Sequence, residues 1–125
     1  EPYVIAAVNV TAADTDEEAA EQTRRVRRNR VKAMVGRGRE FTEEELDLLV
    51  DSPAGQQIID MLRFTAQGTG QRVREYLERF AAQAQADELM ISLQSPTTEQ
   101  SRRSMEIPAE AWGLPAENDD AVATA

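Results

Sequence analysis

The chain has no cysteine and no histidine. Without thiols it can build neither a disulfide framework nor a thiolate metal site, and without imidazole it lacks the usual general base and the commonest metal ligand. Zinc chemistry and Ser/His or Cys/His catalysis are therefore excluded within its 125 residues. Aromatic residues make up 5%, with a single tryptophan, so the core has to be assembled from Val, Ile, Leu, Met and Ala. No apolar run approaches the roughly 20 residues of a membrane span, and no charged segment followed by a hydrophobic stretch opens the sequence. The expectation is a cytoplasmic protein with no membrane contact. The first residue is Glu1 rather than Met, which fits a processed product or a piece of a longer chain.

What is present fits one small domain or part of one: 41% apolar residues, 30% charged residues and a formal net charge of -9. The opening stretch PYVIAAVNV, Pro2 to Val10, is a nearly continuous β-branched run and predicts a strand buried on both faces, as inside a parallel sheet. Thr15 and Glu18 then have the spacing of a capping box, and Asp16, Glu17 and Glu18 suit a positive helix N-terminus. A helix is predicted from about Asp16 to about Val35, with Ala19, Thr23, Val26 and Val31 in one modest apolar stripe. The glycines at Gly36 and Gly38 break it.

A helical insert over about 36–60 follows, with a second capping box at Thr42 and Glu45 and an N-cap and N1 pair at Ser52 and Pro53. Leu62 to Ala66 predicts a short strand, and Gly68-Thr69-Gly70 a tight turn into a helix over about Gln71 to Ala84, whose Val73, Leu77 and Phe80 share a face. Glu88 to Leu93 predicts another strand, and TTEQSRRSMEI a last helix closed by Pro108. The tail 115–125 has no periodicity and is expected to be disordered. Strands alternating with helices of this length imply an α/β fold with parallel pairing. Three parallel strands, however, leave sheet faces and edges uncovered, so the sequence reads as an incomplete fold.

In this order and spacing the residues resemble the C-terminal part of luciferase-like flavin-dependent monooxygenases, a (β/α)8 TIM-barrel family. Three signatures carry the resemblance, which spans Pro2 to Trp112. The first is the strand followed by AADTDEEA, and the second the G-T-x-x-x-V helix start at Gly68 to Val73. The third is ADEL at Ala86 to Leu89, followed by R-x-S-x-E at Arg102 to Glu106.

The resemblance implies that residues 1–114 supply roughly the last three strands of the barrel. It further implies reduced FMN delivered by a separate flavin reductase, reaction with O2, and oxygenation of an organic substrate; a deazaflavin serves some relatives. The sequence departs from the family at Gly70, where a proline is usual, and in lacking the N-terminal half of the barrel, where most flavin-binding and catalytic side chains lie. A full barrel takes about 250 residues. The chain alone is therefore expected to be inactive, to contain no catalytic residue and no metal ligand, and to pair with a complementing half-barrel or with itself through open sheet edges. The alternative is a non-catalytic interaction or oligomerisation module derived from a truncated barrel.

Barrel sites form at the carboxyl ends of the strands. There, Asn9 can point an amide toward flavin or substrate, or satisfy a neighbouring backbone group. Gly68, Thr69 and Gly70 precede a helix N-terminus suited to the flavin phosphate, although such a turn is also an ordinary strand-to-helix connection. Gln94 and Ser95 follow the last strand and can line the mouth of a substrate pocket. The four methionines read as core filler, Trp112 as packing beyond the last helix, and Arg102 and Arg103 as partners for acidic residues.

One feature invites another reading. RRVRRNRVK, Arg24 to Lys32, holds six cations in nine residues. A nucleic-acid surface needs uncancelled charge and base-stacking aromatics. Six acidic residues lie between Glu40 and Asp51, and no aromatic interrupts the run, so it reads as a solvated helix face opposite an acidic insert, with Glu21 placed to pair with Arg25.

Overall fold

β1 (Ile5–Ala12) lies at the centre of a three-stranded parallel sheet, between β2 (Thr65–Gly68) and β3 (Glu88–Leu93). The computed structural model describes residues 2–37 and 39–114; the tail expected to be disordered lies outside them. β1 pairs with β2 only through its carboxyl half, Asn9 opposite Thr65 to Ala12 opposite Gly68. With β3 it pairs from Ile5 opposite Glu88 to Val10 opposite Leu93. The start of β1 is tied to β3 by side chains as well: Tyr3 Oη donates to Glu88 Oε2 at 3.0 Å, and the Val4 N–H donates to Asp87 Oδ2 at 2.8 Å.

The helices are α1 (Asp16–Met34), α2 (Glu43–Asp51), α3 (Pro53–Met61), α4 (Gly70–Ala84) and α5 (Thr98–Ala111). Their starts follow the local chemistry. Thr15 Oγ1 accepts the Glu18 N–H at 3.1 Å. Thr42 and Glu45 exchange both bonds of a capping box at 3.2 Å, and Ser52 Oγ accepts the Gly55 N–H at 3.1 Å with Pro53 in the first turn. α5 runs past Pro108, which the sequence predicts as its end. Proline cannot donate, but its carbonyl still accepts the Trp112 N–H at 3.1 Å, so the final turn closes around it.

Helices cover both faces of the sheet. A right-handed crossover from β1 to β2 and another that returns past β1 to β3 place their helices on opposite sides. On one side Val8, Val10 and Ala12 of β1 and Ala66 of β2 pack against Val73 and Leu77 of α4 and Ile107 of α5, with Tyr76, Phe80, Leu89 and Leu93 around them. On the other side α1 lies over Thr11 and β2, and carries the α2–α3 pair on its back. In a closed barrel wall consecutive strands are neighbours and all helices lie outside; here the longest and most apolar strand takes the middle, and the layers are helix, sheet, helix.

β1 is not buried on both faces along its whole length. Its carboxyl half is enclosed, but Ile5 is 54% exposed and Ala7 and Val4 face solvent, because the helices gather over the carboxyl end. Met90, opposite Ala7, is 62% exposed. The amino-terminal half of the sheet therefore keeps an apolar face in water. Among the described residues no helix is long and apolar enough to cross a membrane.

Candidate functional site

Three parallel strands, each followed by a helix, bring the N-termini of α1, α4 and α5 to the carboxyl edge of the sheet. Free N–H groups and aligned dipoles make that edge attractive to negative charge. The chain meets it with its own carboxylates. Asp16, in the first turn of α1, accepts the Thr69 N–H through Oδ1 at 3.2 Å, and its Oδ2 lies 3.3 Å from Arg72 Nε. An aspartate of one helix thus serves the N-terminus of another. Asp14, between β1 and α1, is gripped by Arg103 of α5, and Arg103 Nη1 also reaches Glu110 Oε1 at 3.0 Å. The Arg103 hydrogen bond holds the Asp14 carboxyl below its ordinary range, and Asp14 and Glu110 together raise the Arg103 guanidinium.

Between the first half of α1 and the start of α5 lies an open crevice of about 540 Å³, rimmed by Asp14, Glu17, Glu21, Glu99 and Arg103. It opens beside the loops that leave β1 and β3. In open α/β sheets ligands settle where strand order reverses, and here that point falls between these two strands. Gln22 is 7% exposed and lines the crevice, with its Oε1 buried and unpaired among the described residues.

The residues singled out in the sequence fall into two groups. Asn9 is half-buried on the α1 side of the sheet, with Ser92 and Thr65 in register on either hand. Gln94 continues that side: its Nε2 donates to Ser92 Oγ at 2.9 Å, its Oε1 accepts from Arg30 Nη2 at 3.2 Å, and its carbonyl accepts from Thr11 Oγ1 at 2.6 Å. Ser95 follows in a crevice against Asn29 and Arg30 of α1, its Oγ buried and unpaired. Asn9, Gln94 and Ser95 are thus brought toward one side of the carboxyl edge.

Gly68, Thr69 and Gly70 stand apart, at the end of β2. Gly68 has φ +136°, and a Cβ there would lie 2.9 Å from Asp16 Oδ1. Gly70 sits against Ile107, where a Cβ would come within 3.1 Å of Cγ2. Gly68 is constrained by its positive φ and Gly70 by its close approach to Ile107, and the Thr69 N–H is already engaged by Asp16. Thr69 and Gly70 line a crevice with Arg103 that contains none of Asn9, Gln94 or Ser95.

Asp14, Asp16 and Gln22 are the groups sequence reasoning did not single out; helix-capping preference explained the acidic residues without a second role. Arg103 does pair with acidic residues as expected, and Trp112 packs under Arg74, whose guanidinium carbon lies 5.2 Å from the ring centroid. The basic run faces the acidic insert through Arg28, whose Nη2 is 2.8 Å from Glu43 Oε2 and which also pairs with Asp47. Glu21 pairs with Arg24 at 3.2 Å, rather than with Arg25, the partner its helical spacing favoured.

No family model matches the chain. No curated protein matches it either. Among solved structures it is similar to the crystal structure of apo-MsnO8, with a TM-score of 0.64 and 24% identity over 94% of this chain and 36% of that one. The likeness shows a shared fold. The chain spans little more than a third of the length of that neighbour.

Proposed function

We propose that the chain is the C-terminal segment of a luciferase-like flavin-dependent monooxygenase with a (β/α)8 barrel, inactive by itself. The observation that carries this reading is the open sheet: Ile5, Ala7 and Met90 exposed on one face, and β2 and β3 both free along their outer edges. Such edges and faces are normally covered. A complementing half-barrel would cover them, provided that the strands re-pair from the order β2-β1-β3 into a serial wall with all helices outside; self-association through the same edges is the other way to cover them and needs no such change. The likeness to about a third of a longer chain agrees with this.

When bound, reduced FMN supplied by a flavin reductase would provide the electrons for O2-dependent oxygenation; a reduced deazaflavin would instead serve as a hydride donor. The contribution of this chain is positional. Asn9 offers an amide at the open face, and Gln94, fixed by Arg30 and Ser92, holds a second amide above it. Gly68, Thr69 and Gly70 fit a packed turn better than a phosphate cradle, because Asp16 holds the site an anion would need.

The strand order favours a second reading, a non-catalytic interaction module. A sheet with β1 between its neighbours is self-consistent without a barrel. Titration of FMN and of a deazaflavin into the complete polypeptide encoded by the reading frame that contains this chain separates the two. Saturable binding of either flavin is expected. Binding of neither overturns the monooxygenase reading and leaves the module.

A further inference from the structure

We propose that the crevice between α1, the α2–α3 insert and β2 is a binding site for a phosphate group. It has a volume of about 460 Å³ and is lined by Thr23, Arg24, Arg27 and Arg28 of α1, Asp47 of α2 and Gln67 of β2.

Thr23 and Arg27 are four residues apart on α1, and Arg24 and Arg28 repeat that spacing one position on, so the four side chains share one helix face. A threonine inside a helix commonly returns its hydroxyl to a carbonyl one turn back. Thr23 does not. It is 5% exposed, and its Oγ1 is buried without a partner among the described residues. Arg27 Nε is buried and unpaired as well. Both residues line this crevice and also the small void beneath α1, and two unsatisfied donors on successive turns are costly unless a ligand or water completes them.

The charge agrees with an anion. Three guanidiniums and a single carboxylate line the crevice. Arg28 is held by Glu43 and Asp47 and Arg24 by Glu21, whereas Arg27 makes no ion pair among the described residues. The guanidinium fork matches the oxygens of a phosphate, and donors on two helical turns suit a tetrahedral anion better than a planar carboxylate. Half of the basic run thereby gains a role that a solvated face does not explain, in a chain whose net charge of -9 repels anions elsewhere. The source is free inorganic phosphate or the phosphomonoester of a small metabolite. The site does not depend on the monooxygenase reading.

The test follows the backbone amide resonances of α1 between Thr23 and Arg28 by NMR while inorganic phosphate is titrated in at constant ionic strength, with chloride as the control anion. A saturable shift is expected, weakened about tenfold or more in Arg27→Met, as the loss of one charge-assisted hydrogen bond implies. Thr23→Val keeps the shape of the side chain, preserves the amide spectrum and weakens binding as well. FMN against riboflavin distinguishes the sources: a shift with FMN and none with riboflavin assigns a phosphomonoester, and a shift with phosphate alone assigns the free anion. Shifts matched by chloride, no saturable shift with phosphate or FMN, or an affinity unchanged in either variant would overturn the proposal.

Discussion

Arg103 donates to both oxygens of Asp14 across 89 residues of chain, from Nη2 to Oδ1 at 2.6 Å and from Nε to Oδ2 at 3.3 Å. The pair fastens α5 to the loop that leaves β1 and forms one wall of the crevice between α1 and α5.

Its pH dependence has a definite sign. The Arg103 hydrogen bond lowers the Asp14 pKa in the folded state, so its contribution is present above the ordinary carboxylate range and is lost as pH falls through the lowered value. Urea midpoints measured from neutral to acid pH should show this part of the acid sensitivity disappear in Asp14→Asn. The effect is small and shrinks with added salt, because the pair is exposed.

Two buried hydroxyls should behave oppositely. Ser104 Oγ accepts the Ala12 N–H at 2.9 Å in a fully buried setting, and Ser104→Ala strands that N–H at a cost of about 1–3 kcal/mol. Thr23 has no partner to strand, so without added phosphate Thr23→Val should leave stability unchanged or raise it. Chemical denaturation of the two variants side by side makes the comparison.

Gly68→Ala places a side chain at φ +136° and against Asp16 and Arg72. A loss of about 1–3 kcal/mol is expected, measured by thermal melting. An unchanged melting temperature would mean that the turn after β2 differs from the one described.

The strand order can be trapped chemically, since the chain has no cysteine of its own. Ala7 and Met90 are register partners on the open face. Adjacent strands lie about 4.8 Å apart, and a disulfide tolerates Cα separations of up to about 6.8 Å. Ala7→Cys combined with Met90→Cys should therefore crosslink on mild oxidation in the isolated chain. In a serial wall β2 would separate the two strands and no crosslink would form.

Local chemistry was legible in the sequence, and long-range chemistry was not. The cap at Thr15, the box at Thr42 and Glu45, the Ser52–Pro53 start and the bounds of β3 all follow from residues within a few positions of one another. Pro108 misled because only its donor is missing. The β2-β1-β3 order, and the contacts of Asp16 with Thr69 and of Ala12 with Ser104, join residues 53 and 92 positions apart and leave no local pattern. Gln94 and Ser95 follow β3 as its predicted bounds imply, whereas Asn9, read as the end of its strand, lies three residues inside β1 because the strand runs on to Ala12. Gln22 and Thr23 were missed because an unpaired buried group has no signature until its surroundings are known.

In the proposed function the sheet of this chain is open and further polypeptide closes it. Hydrogen–deuterium exchange over Ile5–Ala12 and Glu88–Leu93, compared between this chain and the complete polypeptide encoded by its reading frame, tests this most directly. The account predicts exchange slowed about tenfold or more along the outer edge of β3 in the complete polypeptide, as free amides gain partners. Equal exchange in the two would contradict it.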